Sequence, residues 1–407
     1  MAADGNTVRI DPQSADTYRT GPETLGGRYM RQFWQPVALS QDIKVGEAKP
    51  IRIMSENFTL YRGESGLPFV VAQRCPHRGT QLSVGWVEGD TIRCRYHGWR
   101  FAGDGQCVEM PAGPSEYAAR MKIAHYPTHD HLGLVFVYFG VGKPPAFPPV
   151  PGFDGEGLVE GWVEEFGCNF FQTYENDWDE YHVAWTHRTG GVHTAPKMSE
   201  QTLEETDYGV LKLSRKEDGT RRTTVFFMPG ALRLVVPTQS DLSYAGVGPA
   251  YRDTYIFHTP IDDESQLFFV SQHVPVTGKE AETYAKHYDE FIRRRRALSS
   301  RDRGEDILAG KRRLKDLLDH PNLAVLEDYI AQVGQGRIAD RSSEHLARTD
   351  AGVLFLRKLW TRELKLLAEG RPTKQWSPLT EMPHAEINQA VLKNNRGTGA
   401  RAAADVG

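Results

Sequence analysis

The chain has 407 residues, 39% of them hydrophobic, and a formal net charge of −4 at pH 7. This length and composition predict two or three domain-sized units with buried cores. The slightly acidic balance argues against a nucleic-acid partner. We also expect no membrane insertion and no secretion, hence a cytoplasmic protein, because no apolar run reaches the length of a membrane span and the polar opening lacks a signal-peptide core.

The first predicted unit in chain order is an N-terminal arm over residues 1–46. Within it, apolar side chains recur at near-helical spacing over residues 25–34, and Pro36 ends the pattern. We therefore predict a short helix in this arm, and we expect it to pack against the C-terminal domain.

The second predicted unit, residues 47–145, has a period near two and is rich in β-branched and aromatic side chains. Turn-forming stretches at residues 63–66, 88–90 and 103–105 separate its strand-like segments. This pattern predicts a small domain of short antiparallel strands. A stretch rich in proline and glycine, residues 140–152, follows and suits a linker.

Two short pairs of metal ligands lie in this β-rich unit. Cys75 and His77 form the first pair, Cys94 and His97 the second, and the chain between them is long enough for one hairpin. Such mixed ligation suits a structural zinc ion or a 2Fe-2S centre in which two thiolates hold one iron and two imidazoles the other. Because each pair contains one Cys and one His, the order of ligands favours the iron centre over the common zinc finger, whose pairs are each of one kind.

Two glycines and two further cysteines complete this picture. Gly79 and Gly98 follow the two ligand pairs, where we expect them to permit close approach of the backbone. We interpret the remaining cysteines, Cys107 and Cys168, as small buried apolar residues. So few cysteines cannot form a disulfide framework, which is consistent with a reducing compartment.

The third predicted unit, residues 146–393, mixes strand-like and helix-like patterns, and residues 394–407 have the composition of a disordered tail. The predicted fold class is α+β, with an N-terminal β-rich domain and a C-terminal domain in which helices flank an antiparallel sheet. The predicted strands are 162–166, 221–236 and 254–274, and the predicted helical stretches are 169–187, 278–318, 323–335 and 350–369.

A second candidate metal site lies in the stretch 175–187, which contains His182 and His187. On a continuous helix, five residues turn through about 500°, so the two rings would not share a face. If both bind one metal, the helix must therefore distort or end between them. Asp179 precedes His182 by three residues, so we expect those two on one face. Two histidines at this spacing are by themselves more often ordinary polar residues.

Both motifs resemble those of the Rieske non-haem iron aromatic oxygenases of the phthalate and vanillate type. The sequences CPHRG and CRYHGW resemble the cluster loops of that family, and residues 176–187 match its NxxDxxHxxxxH motif. The resemblance implies one Rieske 2Fe-2S cluster per chain, and one mononuclear Fe(II) held by His182 and His187. The stretch 326–357 resembles the family's C-terminal segment, which implies Asp328 as the third iron ligand, with Glu327 beside it. His193 is the main competitor for a ligand role.

The resemblance also implies an assembly. In the family, electrons pass between neighbouring chains of a ring-shaped trimer, so we expect a homotrimer or hexamer. By this match, His97 rather than His77 of one subunit faces Asp179 of the next, and Asp179 orients His182. Asn176 would support the iron site through a hydrogen bond. Both Asp179 and Asn176 are therefore predicted catalytic residues.

The family resemblance implies an oxygenase that uses dioxygen and outside electrons to hydroxylate an aromatic substrate. The opening segment and the stretch 79–99 resemble oxygenases acting on lignin-derived aromatics, which implies O-demethylation of a methoxylated aromatic acid. The alternative is cis-dihydroxylation of an aromatic carboxylate, for which Arg222, Arg233 or Arg252 could supply a cation. A more distant alternative is a Rieske electron carrier without oxygenase activity, although a carrier would need only the β domain.

The electron donor is expected to be a separate protein. No glycine-rich fingerprint for a flavin or nicotinamide follows a predicted strand. We therefore expect a separate reductase, with or without a ferredoxin, and expect NAD(P)H to act only indirectly through that reductase.

Overall fold

A computed structural model describes residues 9–151, 153, 155–189, 200–215, 221–237 and 251–380. Contacts between residues divide the chain into two compact units. One contains residues 18–147 and 259–263, and the other contains the rest. The predicted arm is thus divided, with residues 9–17 in one unit and 18–46 in the other. The predicted domain boundaries stay predictions, and the predicted tail lies outside the described residues.

The unit that contains residues 18–147 is built from three antiparallel sheets within its described part, in the strand orders β1-β11-β10, β2-β3-β4-β9 and β5-β6-β7-β8. The strands are Trp34–Leu39 (β1), Ala48–Ile53 (β2), Glu56–Arg62 (β3), Pro68–Ala72 (β4), Trp86–Glu88 (β5), Thr91–Arg93 (β6), Arg100–Ala102 (β7), Cys107–Glu109 (β8), His125–Tyr126 (β9), Thr128–His131 (β10) and Leu134–Tyr138 (β11), and the helices are Leu25–Met30 (α1) and Ser115–Arg120 (α2).

The helix predicted over residues 25–34 is shorter than expected. Helix α1 begins after Thr24, whose Oγ1 accepts a hydrogen bond from Gly27 N at 3.0 Å, and it ends at Met30. The chain then enters strand β1, which contains Pro36. Because β1 is the edge strand of its sheet, proline is tolerated there. Pro36 therefore interrupts no helix, and the helical pattern misled at this point.

The other unit contains a seven-stranded antiparallel sheet in its described part, in the order β12-β18-β17-β16-β15-β14-β13. This sheet and its helices confirm the α+β class. The strands are Leu158–Phe166 (β12), Glu200–Glu205 (β13), Val210–Arg215 (β14), Arg221–Phe227 (β15), Ala231–Pro237 (β16), Tyr251–Asp262 (β17) and Ser265–Val274 (β18), and the helices are Phe170–Trp178 (α3), His182–Thr186 (α4), Gly278–Ala297 (α5), Ser300–Leu308 (α6), Leu323–Val333 (α7) and Ala351–Ala368 (α8).

Strands β13 and β14 were absent from the sequence-based prediction. Their sequences, EQTLEE and VLKLSR, contain several charged residues and few of the β-branched and aromatic residues that are enriched in strands. One of these charged residues, Lys212 of β14, is nevertheless buried, and its ammonium lies 3.3 Å from the main-chain oxygen of Trp178. Within the described residues, no helix is long and apolar enough to cross a bilayer.

Helix α3, whose C-terminal end carries the second candidate site, is held by contacts at both of its ends. Asn169 caps its N-terminus, with Oδ1 accepting from Phe171 N at 3.1 Å. Trp178 at its other end is fully buried and stacks on Phe226 of the sheet, with ring centroids 4.0 Å apart. Helix α8 abuts this end at Gly352, where an added Cβ would lie 2.3 Å from the Trp178 carbonyl oxygen. The end of α3 is thus fixed from two sides.

We predict that Gly352→Ala lowers stability. The new methyl group would collide with a backbone oxygen, which cannot rotate away, and such overpacking typically costs about 1–3 kcal/mol. The expected result is a lower midpoint of denaturant unfolding. The matched control is Gly155→Ala, whose Cβ would meet its nearest neighbour at an ordinary 3.6 Å. Equal midpoints for the two variants would contradict the tight contact between α8 and the end of α3.

Candidate metal centres

The first candidate centre is formed by two turns of the same kind. In each turn the cysteine carbonyl accepts a hydrogen bond from a glycine four residues later, Gly79 N to Cys75 O at 2.9 Å and Gly98 N to Cys94 O at 3.1 Å. Both glycines have left-handed backbones, with φ of 76° and 72°. A Cβ at Gly79 would meet nothing within 4 Å. The reason for glycine at position 79 is therefore the positive φ alone. At Gly98 a Cβ would also lie 3.0 Å from Pro111 Cγ, so the close approach that we expected is present there.

The four predicted cluster ligands come together at these turns. The Cys75 and Cys94 side chains are buried at 2% exposure, whereas His77 and His97 are exposed and their ring centroids lie 4.4 Å apart. Burial, with Cys94 adding, raises the pKa of Cys75 to about 11. Two buried thiols next to two imidazoles are a donor set that fits a Rieske cluster.

The two histidines differ in their surroundings rather than in their exposure. The Trp99 ring stacks on His77, with centroids 4.7 Å apart and planes 5° from parallel. His97 instead lies against Tyr96 at 3.8 Å. Since both rings are exposed, exposure does not distinguish them, and the choice of His97 as the ring that faces a neighbouring subunit stays a prediction.

The second candidate centre lies where α3 ends. Asp179 has an extended backbone, with φ −80° and ψ 123°, and a new short helix begins at His182. Helix α7 supplies Asp328 from the far side. Its Oδ1 lies 3.9 Å from His182 Nε2 and 3.6 Å from His187 Nε2. One ligand atom from each of the three lies within 4.8 Å of the others, so the structure brings the three predicted iron ligands together.

The opposite nitrogen of each ring is anchored. His182 Nδ1 lies 2.9 Å from the main-chain oxygen of Asp179. His187 Nδ1 lies 3.1 Å from Oε2 of Glu327. Both acceptors favour the tautomer that carries the proton on Nδ1, which leaves the Nε2 lone pairs directed towards Asp328. This is the arrangement that a metal-binding histidine needs.

The electrostatics of the site also fit a cation. Burial, with His187 adding, lowers the pKa of His182 to about 3, so this ring is neutral at physiological pH. Burial raises the pKa of Asp328 to about 7, and the charges of Asp177 and Glu327 add to the rise. A buried carboxylate destabilised in this way is stabilised by a bound cation. Against the effect of burial, the hydrogen bond to Glu327 and the charges of Asp328 and Glu327 raise the pKa of His187. Two imidazoles, which a metal binds in their neutral form, and one carboxylate are the donor set of the facial triad that binds non-haem Fe(II).

Asp179 contacts His182 differently from what we predicted. The two residues do not share a helical face, because α3 ends at Trp178. The Asp179 carboxylate accepts from Tyr181 N at 2.7 Å, and its nearest approach to His182 Nδ1 is 3.8 Å. The main chain of Asp179 therefore orients His182, and its carboxylate is left for other contacts. A bridge from this carboxylate to a neighbouring subunit stays a prediction.

Asn176 lies at the mouth of the ligand set. Its Nδ2 is 3.2 Å from His182 Nε2 and 3.4 Å from Asp328 Oδ1. The amide thus donates towards two of the three ligand atoms. A cation would compete with the amide for the same lone pairs, so binding and release of metal are coupled to this side chain. The contact is consistent with the predicted supporting role.

The three arginines proposed as substrate cations are all near acids. Arg233 is paired with Asp253, and Arg252 lies 3.0 Å from Glu160, with all four side chains largely buried. The side chain of Arg222 is 35% exposed, and its Nη1 lies 3.9 Å from Oε1 of Glu180. It is therefore the least compensated of the three. His193 lies outside the described residues.

Three features of the site were not predicted from the sequence. They are the anchoring role of Glu327, the buried ion pair between Lys212 and Glu180 at 3.3 Å, and the buried pair of His258 with Asp177 at 2.6 Å. Each joins residues that are far apart in the chain. The one available signal was the acid next to Asp328, since adjacent acids on an apolar helix are unusual.

Comparison with known proteins identifies the family of the chain. A profile described as Rieske 2Fe-2S domain matches residues 33–127. The phenoxybenzoate dioxygenase alpha subunit of Ectopseudomonas oleovorans is 30% identical over 88% of this chain and 86% of its own length. The 5,5'-dehydrodivanillate O-demethylase oxygenase subunit of Sphingobium sp. SYK-6 is 28% identical over 88% of this chain and 80% of its own.

The fold agrees as well. A chain from the carbazole-bound oxygenase and ferredoxin complex of carbazole 1,9a-dioxygenase superposes with a TM-score of 0.60 at 20% identity, over 92% of this chain and 96% of that one. The class of protein is therefore a Rieske-type oxygenase. This chain belongs to the family of Rieske oxygenase alpha subunits, the subunits that carry out oxygenation.

We predict that Asp328→Ala loses the mononuclear iron and keeps the cluster. Removal of the one carboxylate among three ligands leaves two neutral imidazoles, which bind Fe(II) weakly. Iron content should fall from about three to about two per chain, with the cluster absorption unchanged. The control is Asp316→Ala, which removes an exposed acid that pairs with Arg313 at the protein surface. An iron content equal to the parent's would remove Asp328 from the ligand set.

Proposed function

We propose that this Rieske oxygenase O-demethylates a lignin-derived methoxylated aromatic acid. The mononuclear iron would be held by His182, His187 and Asp328, and the cluster by Cys75, His77, Cys94 and His97. The observation that carries the proposal is the convergence of the three iron ligands at the end of α3, with both histidines anchored through Nδ1. A bare electron carrier would have no use for this second site.

The two groups would divide the chemistry. When bound, the cluster relays electrons singly, and the mononuclear Fe(II) provides the open coordination positions at which dioxygen and substrate meet. The chain's own residues fix the geometry of this site. His182 and His187 are held in one tautomer, Asp328 supplies a buried negative charge, and Asn176 donates a hydrogen bond at the mouth of the site.

The overall reaction balances for a methoxy group. One oxygen atom enters a C–H bond of the methyl group and gives a hemiacetal, whose C–O bond then breaks to release a phenol and formaldehyde. The other oxygen atom leaves as water, which requires two electrons and two protons. Those electrons must come from outside the chain, because each cluster holds only one at a time.

The leading alternative is cis-dihydroxylation of an aromatic carboxylate. It is supported by the similarity to an enzyme named phenoxybenzoate dioxygenase, just as demethylation is supported by the similarity to the dehydrodivanillate enzyme. An acidic substrate of either kind needs a cation in the pocket. We propose Arg222 for this role, because its charge acts on His182 while Arg233 and Arg252 are held by buried acids.

We also propose the partners of the chain. A separate reductase would draw electrons from NAD(P)H and pass them to this chain, either directly or through a ferredoxin. The ferredoxin complex of the carbazole enzyme supports the arrangement that includes a ferredoxin. The chain would assemble as a homotrimer or hexamer, in which Asp179 joins His97 of a neighbouring subunit to His182. The exposed cluster histidines, and an Asp179 carboxylate that lies 3.8 Å from His182 Nδ1, beyond hydrogen-bond distance, are consistent with this assembly.

A panel of aromatic acids tests the reaction. We expect the reduced protein, supplied with dioxygen, to release formaldehyde from methoxylated substrates in a one-to-one ratio with the phenol. Asp328→Ala is the control, because it should retain the cluster and make neither product. Formation of a cis-diol without formaldehyde would establish the alternative. Cluster reduction and reoxidation with no product from any substrate would favour the electron carrier.

We predict that Asp179→Ala keeps both metals and loses turnover. Iron should remain because the main-chain oxygen that anchors His182 is unchanged by the substitution. Turnover should fall by about 10- to 100-fold, as expected when an outer carboxylate beside a metal site is removed. The measurements are iron content and the rate at which substrate reoxidises the reduced cluster. Parent-like reoxidation at full iron content would contradict the relay through Asp179.

A further inference from the structure

A second carboxylate lies beside the proposed iron ligands. Glu327 precedes Asp328 on α7, and its side chain is 1% exposed. Its Oε2 lies 3.1 Å from His187 Nδ1. Its Oε1 is also buried and has no hydrogen-bond partner within the described residues. A buried carboxylate in this position is costly unless a positive charge lies close by.

The two histidine anchors differ in charge. His182 is held by a neutral carbonyl, that of Asp179, whereas His187 is held by a carboxylate. A hydrogen bond to an ionised acceptor is roughly twice as strong as one between neutral groups. It also makes the ring a stronger electron donor through its other nitrogen. The site therefore has one ordinary imidazole and one that is made more basic.

A divalent cation would balance the charges of the metal-binding site. Asp328 and Glu327 together contribute two negative charges in a buried region. The buried ammonium of Lys212, which lies nearby, is already paired with Glu180. Glu327 contacts His187. A bound divalent ion would make the set of two carboxylates and two neutral imidazoles electrically neutral. Without it, the two carboxylates repel each other.

We infer that Glu327 is a positioning residue for the mononuclear iron, which holds His187 and supplies the second negative charge that retains the ion. The inference depends on the ligand set proposed above and extends it. Glu327 acts through His187, because its Oε2 contacts Nδ1, on the opposite side of the ring from the Nε2 atom that lies near Asp328. It therefore affects how tightly the ion is held without touching it.

The test compares the protein with and without iron. Glu327→Gln keeps the shape of the side chain and removes its charge. The iron-loaded variant should release iron to a ferrous chelator about 10- to 100-fold faster than the parent, as is typical when such a partner of a ligand is lost. The substitution should lower the unfolding temperature of the iron-loaded protein by more than that of the iron-depleted protein, because the ion is the strongest positive charge on which Glu327 would act. The absorption of the cluster should not change.

A matched control separates positioning from ordinary packing. Glu363 is a fully buried carboxylate of the same unit, which accepts from Lys374 N at 2.8 Å and pairs with Arg362. Glu363→Gln should lower the unfolding temperature with and without iron, and leave the rate of iron release unchanged. Glu327→Asp, which keeps the charge and shortens the side chain, should release iron at an intermediate rate, and it replaces Glu327→Gln if that variant does not fold.

Two results would overturn the inference. One is iron release from Glu327→Gln at the parent rate, and the other is an equal loss of stability with and without iron, as in the Glu363 control. The Asp328→Ala variant distinguishes this failure from failure of the proposed function. If Asp328→Ala loses iron while Glu327→Gln retains it, the ligand set is correct and only the role of Glu327 is wrong.

Discussion

The early end of helix α3 is the constraint on which the second metal centre depends. On an unbroken helix, His182 and His187 would point in different directions. Trp178 is packed against the sheet and against Gly352 at the point where α3 ends, and Asp179 has an extended backbone. This break directs both Nε2 atoms towards Asp328. It also exposes the Asp179 carbonyl, which a continuing helix would have used, as an anchor for His182.

A second feature of the metal-binding site is an excess of negative charge, which a bound cation would stabilise. The carboxylate of Glu327 is buried and that of Asp328 is partly buried, with Asp177 nearby, and desolvation raises the pKa of Asp328. The fold around this site is stabilised by separate buried ion pairs, those of Glu175 with Arg341 and Arg357. The rigid frame carries its own balanced ion pairs, whereas the centre keeps an excess of negative charge.

The sequence predicted what is local and failed where contacts are distant. The pairs around Cys75 and Cys94 could be recognised because spacing and ligand type are short-range properties. Asp328 came only from family resemblance, since no local pattern distinguishes it from other helical acids. The partnership of Glu327 with His187 joins positions 140 residues apart. The contact of Asp179 with His182 was misjudged because spacing arguments assume a continuous helix, which packing at Trp178 overrides.

Substrate choice is governed by a different part of the molecule. The family includes a demethylase and a dioxygenase that resemble this chain to nearly the same degree, 28% and 30%. Both activities can use the same ligand set and the same supply of electrons, so the metal centres cannot select between them. The selection must come from which carbon atom the pocket holds nearest the iron. For the acidic substrate proposed above, that position would depend on the cation that binds its carboxylate, and of Arg222, Arg233 and Arg252 it is Arg222 that lies farthest from its paired carboxylate oxygen.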